Sequence, residues 1–283
     1  MKYLVQTENI AEEKAKDFDY GRAAINTEDN NTYLIGYKNE IFEYNLIDLG
    51  LPSGTLWCDR NVGAKSIDDN GYFFQWGNTD TVWNGFMPGM TDDNYYEVVK
   101  EYILKYKYAK TDSSGNCDYT KYVIDERKSN FDGKSILERT DDMAFMYTHK
   151  YFLPSVEQVV ELIDNTDCYM ITTDDEEIQG TLDSKWHDIN WDFGHDEHLM
   201  KSLEFRKKDN NSVKISIPSI NYTNVNGFHL WSKQVGDVTT YDYNHGDGLQ
   251  LVKVDGKYQC CFNGYNRFFT FPCRGVLNVK NKH

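Results

Sequence analysis

Residues 47–64 read IDLGLPSGTLWCDRNVGA, and this stretch sets a short apolar run between two turns. Pro52 fixes its own φ angle, and Gly54 and Gly63 supply the backbone conformations that tight turns need. The apolar run between them contains Trp57 and has the length of a strand. The sequence therefore predicts turn, strand and turn at the entrance to a domain.

Composition limits the classes of protein to which the chain can belong. Its 283 residues suffice for one large domain, or for one domain with a small appendage. Aromatic residues make up 15% of the chain, which favours a bulky β-rich core, a binding face, or both. The formal net charge of −15 disfavours nucleic acids and anionic membranes as partners, because both are bound through Lys and Arg.

Two features of the sequence concern export. It has no apolar run of about 18 residues, the length that a transmembrane helix needs. The N-terminal sequence MKYLVQTENI breaks its apolar stretch at Gln6, so it lacks the apolar region of a secretory signal. We expect synthesis in a cytoplasm, no export by the usual route and no insertion into a membrane.

The cysteines predict structural thiols. No pair has the Cys-x-x-Cys spacing of a zinc ribbon or a thioredoxin-type motif. Cys260 and Cys261 would point to opposite faces of a strand. We expect buried free thiols, no cofactor and no bound metal. The cysteines are Cys58, Cys117, Cys168, Cys260, Cys261 and Cys273.

Local patterns predict a domain over residues 47–283 that follows a small N-terminal appendage. Residues 1–46 contain a charged helical pattern over 8–24 and strand-like runs at 32–37 and 41–45. This segment is too small for a strong core of its own. We expect it to serve as an anchoring or oligomerisation segment.

Two short helices are predicted between residues 140 and 165. Thr140 is predicted to cap the first, with Asp141 and Asp142 in its first turn. Ser155 and Gln158 have the spacing of a capping box for the second, and apolar residues follow at helical spacing.

Strand patterns dominate the last third of the chain. Residues 213–218 alternate apolar and polar side chains, and Asp255-Gly256 lies between two strand-like runs as a hairpin turn. The segment 174–210 is acidic and irregular, and we expect a loop there. Early helices and late antiparallel strands predict an α+β fold.

Possible metal ligands are concentrated in KWHDINWDFGHDEH, residues 185–198. Two histidines three residues apart among carboxylates could bind zinc. The order is not His-Glu-x-x-His, however, and a solvated acidic loop is the preferred interpretation. Oxygen ligands for calcium are available at residues 174–177 and 243–248, without a motif that supports them. Asp141 and Asp142 would point about 100° apart on a helix, so paired catalytic carboxylates are disfavoured.

Seven short motifs follow one another in an order more specific than any single motif. They are DLGLPSGTLWCDRNVGA, GYFFQWGNT, DGKSILERTDDMA, YFLPSVEQVVELIDN, ISIPSINY, LWSK and FPCRGVLNV. Their succession resembles the Fibrobacter-succinogenes-type major paralogous domain, a family frequent in Bacteroidetes and their phages. The resemblance covers roughly residues 47–280. It implies a C-type-lectin-like domain with Trp57 and Trp76 in the core, although Lys233 and Gly275 depart from the usual motifs.

This resemblance, with the missing secretion signal, suggests a non-catalytic virion protein of a Bacteroides-infecting, crAss-like phage. A head or tail fibre or a capsid-decorating component would display the domain to bind a host-surface glycan or protein. Residues 1–46 would contact other virion proteins, and we expect a homo-oligomer. The alternative is a purely structural building block of the virion. A formylglycine-generating-type enzyme shares the architecture, but its cysteine pair does not match Cys260 and Cys261, so an enzyme is disfavoured.

The resemblance also suggests where a ligand would bind. Lectin-like recognition proteins make contacts through the exposed side of the late strands and their loops. Tyrosine offers a rigid contact face, and asparagine offers donors and acceptors. Ordinary polar turns are an equal alternative. The predicted ligand-binding residues are Tyr241, Tyr243, Asn244, His245, Asn263, Tyr265 and Asn266.

Overall fold

In the residues that the structure describes, the fold is mixed α+β and mostly β, with three α-helices and many short strands in several small sheets. The computed structural model describes residues 3–6, 24–26, 32–36, 44–80, 82–111, 117–182, 200–222, 225–236, 245–254 and 257–278. The α+β prediction is confirmed. So are the two predicted short helices and the prevalence of antiparallel strand pairs.

The elements have the following bounds. The helices are α1 (Tyr95–Lys105), α2 (Met143–Thr148) and α3 (Val156–Asn165). The strands are β1 (Tyr3–Gln6), β2 (Ala24–Asn26), β3 (Thr32–Gly36), β4 (Leu46–Ile47), β5 (Thr55–Cys58), β6 (Phe73–Gln75), β7 (Ala109–Thr111), β8 (Cys117–Tyr119), β9 (Thr166–Thr172), β10 (Glu177–Gln179), β11 (Thr181–Leu182), β12 (Met200–Lys207), β13 (Asn210–Pro218), β14 (Ile220–Tyr222), β15 (Val225–Gly227), β16 (His229–Val235), β17 (His245–Val254), β18 (Lys257–Asn266), β19 (Thr270–Pro272) and β20 (Val276–Asn278).

The stretch 47–64 forms the turn–strand–turn that its sequence predicts. Gly54 and Gly63 adopt φ angles of 75° and 81°, in the left-handed region where a side chain is disfavoured. The strand between them, β5, lies between β4 and the last described strand, β20, and Trp57 is opposite Val276. The beginning and end of this part of the chain are therefore joined in one antiparallel sheet.

Two hydrophobic cores lie on either side of the sheet ordered β11-β18-β17-β16. Trp231 and Tyr265 point into the aromatic core that also contains Trp76. Leu230 and Leu249 point into the second core, which contains Trp57. The burial predicted for both tryptophans is confirmed, since Trp57 and Trp76 expose 1% and 0% of their surface.

The second core is closed by helix α3 and the sheet ordered β10-β9-β12-β13. Helix α3 begins at the predicted capping box, in which Ser155 accepts from Gln158 N and the Gln158 side chain accepts from Ser155 N. Its buried residues Val159, Leu162 and Ile163 recur at helical spacing and face this core.

Three local predictions are wrong. The cap of α2 is Asp142, whose carboxylate accepts from Phe145 N at 2.9 Å, and not Thr140. The segment 174–210, expected to be a loop, contains β10, β11 and β12. Strand β12 lies in the middle of a sheet, where it forms a hairpin with β13 and pairs on its other side with β9, which is distant in sequence. The end of the chain contains two strands, β19 and β20, where one was expected.

Helix α1 was not predicted, and the N-terminal strands were predicted only in part. Valine and tyrosine residues at helical spacing over residues 95–105 were a signal for α1 that the prediction did not use. Strand β3 matches the expected run at 32–37, and its partners are β1 and β2. Of the expected run at 41–45, residues 41–43 lie outside the described residues. The predicted helix over 8–24 lies outside the described residues, except that Ala24 begins β2.

We predict that Asp142→Ala destabilises the domain by about 1–3 kcal/mol, because a helix cap and buried backbone donors lose their acceptor. The Asp142 carboxylate accepts from Leu153 N as well as from Phe145 N, so the loss extends beyond α2. Chemical denaturation of the two variants measures it, with Thr140→Ala as the control. A Thr140→Ala loss as large as that of Asp142→Ala would contradict the assignment.

Candidate recognition surface

The long hairpin of β17 and β18 carries part of the predicted recognition set. The two strands pair without a shift from His245 opposite Asn266 to Val254 opposite Lys257. His245 and Asn266, predicted from separate loops, are therefore direct neighbours, and both are half-buried. Asn263 lies further along β18, opposite Gly248. The remaining predicted residues Tyr241, Tyr243 and Asn244 lie outside the described residues.

Tyr265 does not present a contact face to solvent. Its side chain is 1% exposed, and its ring packs against Phe271 at 4.9 Å and against His229 at 4.9 Å between centroids. Neighbouring side chains on a strand alternate between faces, so Tyr265 points into the aromatic core while Asn266 points the other way. The expectation of an exposed Tyr265 ring is wrong, and the candidate surface has to be described without it.

Asp247 joins His245 on the same face of β17, two residues further along the strand. Two glycines leave room for these side chains. A Cβ atom at Gly236 would lie 2.7 Å from Asp247 Oδ1, and one at Gly264 would lie 3.1 Å from His245 Cβ. The predicted ligand-binding set did not include Asp247, which the sequence offered only as an oxygen ligand for calcium. Its alternation with His245 and the glycines around it were a usable signal.

We call His245, Asp247 and Asn266 the hairpin end. An imidazole, a carboxylate and an amide together provide hydrogen-bond donors and acceptors for hydroxyl or peptide groups. Asp247 is 3% exposed, so it contributes from beneath the surface, while His245 and Asn266 are half-buried and partly reach solvent. The pairing of the two ten-residue strands sets the backbone positions of these three residues.

The two adjacent carboxylates at residues 141 and 142 have separate structural roles. Burial opposes ionisation of Asp141, but Lys107 and hydrogen bonds from Lys121 and Tyr122 outweigh it and hold the pKa of Asp141 below its usual range. Burial raises the pKa of Asp142 to about 6. One carboxylate is thus the centre of an ion-pair cluster, and the other is a helix cap.

The structure describes only some of the residues that the sequence suggested as metal ligands. Residues 185–198 lie outside the described residues. Of the calcium candidates, Asp175 forms an ion pair with Lys201, and Glu177 with Arg206. Across the described ranges, no group of three or more His, Cys, Asp or Glu side chains could hold a metal ion. Cys58, Cys168, Cys260 and Cys273 are buried free thiols, as predicted.

A groove of about 380 Å³ lies beside the N-terminus of α3. Glu161 and Lys233 line it, but the Glu161 carboxylate is occupied by hydrogen bonds from the backbone and hydroxyl of Ser53, each 2.5 Å long. The backbone donor of Val156 binds the Gln234 side chain. The groove is therefore a polar depression whose main groups already bind one another.

Comparisons with known proteins give no match: no family model, no curated protein and no solved structure matches the chain. In the part of the chain that the structure describes, no helix is both long and apolar enough to span a membrane.

We predict that Tyr265→Ala destabilises the domain by about 3–5 kcal/mol, because a large aromatic ring is removed from a packed core. Asn266→Ala should change stability by less than about 0.5 kcal/mol, because its side chain is at the surface. Thermal and chemical unfolding of the two variants compares neighbouring residues on opposite faces of β18. An equal loss of stability in the two variants would contradict the assignment of Tyr265 to the core and of Asn266 to the opposite face of the strand.

His229 predicts a pH dependence of stability. Burial lowers the pKa of its imidazole to about 3, from an ordinary value of 6.5. The unfolded chain therefore takes up a proton that the folded chain does not, and stability falls as the pH falls from 6.5 towards 3, by about 1.4 kcal/mol per pH unit at most. His229→Phe keeps the stacking on Phe271, which is 4.5 Å away, and removes the proton.

The free energy of unfolding, measured from pH 7 to pH 4, should fall less steeply in His229→Phe than in the unmodified chain. Asp142 acts in the opposite direction, because its raised pKa lowers stability as the pH rises from 3.8 to about 6. Because Asp142 is present in both proteins, its contribution cancels when the two pH profiles of stability are subtracted. Parallel pH profiles would contradict the prediction.

Proposed function

We propose that the protein is a non-catalytic recognition protein, a virion component of a Bacteroides-infecting, crAss-like phage. It would display a C-type-lectin-like domain, as a fibre or capsid-decorating protein, for binding a host-surface glycan or protein. The observation that supports recognition best is the hairpin end, where His245 and Asn266 lie side by side at the surface with Asp247 beneath them.

The lectin-like fold is supported by the order of motifs in the sequence and by their positions in the structure. The first motif forms β5, the last forms β19 and β20, and β5 pairs with β20. Helices α2 and α3 lie between them, followed by the antiparallel late strands. This arrangement, with the first and last strands of the domain paired and antiparallel strands late in the chain, is compatible with a lectin-like domain.

The buried ionisable groups favour a recognition role over catalysis. Catalytic sites are commonly found at groups whose pKa is strongly shifted. Here Asp141 forms ion pairs with Lys107 and Lys121, and His229 packs against aromatic rings. Arg274 donates to Asn61 Oδ1 and Ser216 O. Each of these groups holds the fold together.

The N-terminal segment is proposed as the attachment element. Its sheet has the order β1-β3-β2, so β3 is paired on both sides and β1 and β2 form the edges. Strand edges readily accept a further strand from another protein or another copy. The Tyr44 hydroxyl accepts from Gly63 N at 2.9 Å, so Tyr44 packs on the domain, and a truncation should stop at residue 43.

The second candidate is a purely structural virion protein without a ligand. The burial of Tyr265 favours it, because the recognition surface loses one of its aromatic contacts. A formylglycine-generating-type enzyme has less support. Cys260, the first of the two adjacent cysteines, is buried in the second core.

The function is tested with the unmodified chain on a glycan array and in a pull-down from host-surface extracts. His245→Ala combined with Asn266→Ala should weaken binding at least about tenfold, as expected when two polar contacts are lost. Asn210→Ala removes an exposed amide at a distant strand end and should leave binding unchanged. If neither glycan nor surface protein binds, the structural building block is the better account.

Attachment is tested by the same chain lacking residues 1–43. This truncated protein should fold, keep the ligand binding of the unmodified chain and fail to join virion particles. Incorporation into particles at the normal level would refute the proposed role of the N-terminal segment.

A further inference from the structure

The chain contains four Asn-Gly pairs, and all of them lie in the described residues, with asparagines Asn70, Asn84, Asn226 and Asn263. An asparagine before glycine can lose its amide group without an enzyme, because glycine has no side chain to shield its backbone nitrogen. That nitrogen attacks the Cγ atom of the asparagine, its proton leaves with ammonia, and a cyclic imide forms. Water then opens the imide at either carbonyl and gives aspartate or isoaspartate. The reaction consumes one water, releases one ammonia and needs no oxidant.

The first pair, Asn70-Gly71, is held by hydrogen bonds at both reacting groups. Gly71 N donates to Asp69 Oδ1 at 3.0 Å, and Asn70 Nδ2 donates to Ser219 O at 2.9 Å. The surrounding backbone is also close, since a Cβ atom at Gly71 would lie 2.3 Å from Val62 O. Ring closure would break both hydrogen bonds, so the fold opposes the reaction at this pair.

Two further pairs belong to strands. Asn263-Gly264 lies in β18, where Gly264 is opposite Asp247 in the long pairing with β17. Asn226-Gly227 lies in β15, which pairs with β14. Ring closure requires the peptide group between asparagine and glycine to rotate, which takes both residues out of the paired strand. The free energy of local opening is therefore added to the barrier at these two pairs.

Asn84-Gly85 differs from the other three pairs. Asn84 is exposed, and the two residues form a bend outside any helix or strand. Within the part of the chain that the structure describes, no hydrogen bond engages the Asn84 side chain or the backbone N–H of Gly85. The carbonyl of Gly85 does have a partner, because it accepts from Thr270 Oγ1 at 3.1 Å. The two reacting groups at this pair are thus free of the hydrogen bonds that restrain them at Asn70-Gly71.

We propose that Asn84 is a site of spontaneous covalent modification, converted to aspartate or isoaspartate in the folded protein ahead of the other three asparagines. The four sites share the same dipeptide, so the selectivity comes from the fold. This inference does not depend on the proposed recognition function.

The modification would act on the aromatic core through the residues on either side. Trp83 is bound to Phe73 through both its N–H and its carbonyl, at 2.9 and 3.0 Å. The Phe86 ring stacks on Phe271, with 5.2 Å between centroids and 14° between planes. Isoaspartate adds one carbon to the backbone between these anchored residues, and either product adds a negative charge to a chain of net charge −15. We therefore expect the modified protein to be less stable.

Peptide mapping by mass spectrometry tests the proposal with the full chain, incubated at mildly alkaline pH in heavy-oxygen water. Heavy oxygen enters only at sites that react during the incubation, and digestion with pepsin in acid limits further reaction. The other three Asn-Gly pairs are matched controls in the same molecule. A parallel incubation in guanidinium chloride gives the reactivity of each pair without the fold.

Two variants block the reaction at this site. Asn84→Gln would have to close a larger ring, which is slower. Gly85→Ala hinders the attacking nitrogen, and the site has room for the methyl group, because the nearest atom to a Cβ there is Pro88 Cγ at 3.8 Å. Gly85 also lacks the positive φ angle that would make alanine unfavourable. Thermal unfolding before incubation shows that both variants are folded.

We expect Asn84 in the folded chain to react at least about tenfold faster than each of the other three asparagines, which corresponds to about 1.4 kcal/mol of local opening at those sites. In guanidinium chloride the four rates should become similar. Both variants should lose the reaction at residue 84 and keep the slow reaction elsewhere. The Tm of the unmodified sequence should fall during incubation, and the Tm of Asn84→Gln should fall less.

The proposal is overturned if another Asn-Gly pair reacts as fast as Asn84 in the folded chain. It is also overturned if folding slows the reaction at Asn84 as much as at the other three sites. A Tm that stays constant while residue 84 is converted would refute the expected effect on the aromatic core.

Discussion

Two reciprocal hydrogen bonds between tryptophans and backbone hold the aromatic core in register. Trp231 Nε1 donates to Phe74 O at 2.7 Å, and Trp76 Nε1 donates to Ser232 O at 2.9 Å. They fix β16 against the segment around β6, although the two are more than 150 residues apart in sequence. The Trp76 ring fits only because Gly246 has no side chain, since a Cβ there would lie 2.6 Å from the ring. The hairpin of β17 and β18, and with it the candidate surface, depends on this contact.

Buried charges tie the remaining elements together. Arg206 is 7% exposed and donates to both Glu204 and Glu177, and Lys214 also binds Glu204. Burial lowers the pKa of Arg274 to about 10, so the side chain stays charged at neutral pH and joins the end of the chain to Ser216. Removing one partner of such a group leaves a buried charge uncompensated, which is more costly than the pair is stabilising. These networks specify which segments meet.

The hairpin end offers an imidazole and an amide, suited to hydroxyl or peptide groups. Contacts of this kind at a surface do not need the single deep pocket that small-molecule enzymes use.

Local signals in the sequence determined the elements whose stability is local. The capping box of α3, the turns at Gly54 and Gly63, and the pairing of β17 with β18 are each specified within a few residues of chain. The burial of Trp57 and Trp76 also followed, because large aromatic side chains belong in a core.

Tertiary structure decided what each face of a strand meets. Strands β16, β17 and β18 have a core on both sides, so alternation of side chains did not reveal that Tyr265 is buried while Asn266 is open. Asp142 caps α2 and also accepts a hydrogen bond from the backbone N–H of Leu153, eleven residues later. Contacts between distant segments set these features, and no local pattern encodes such contacts.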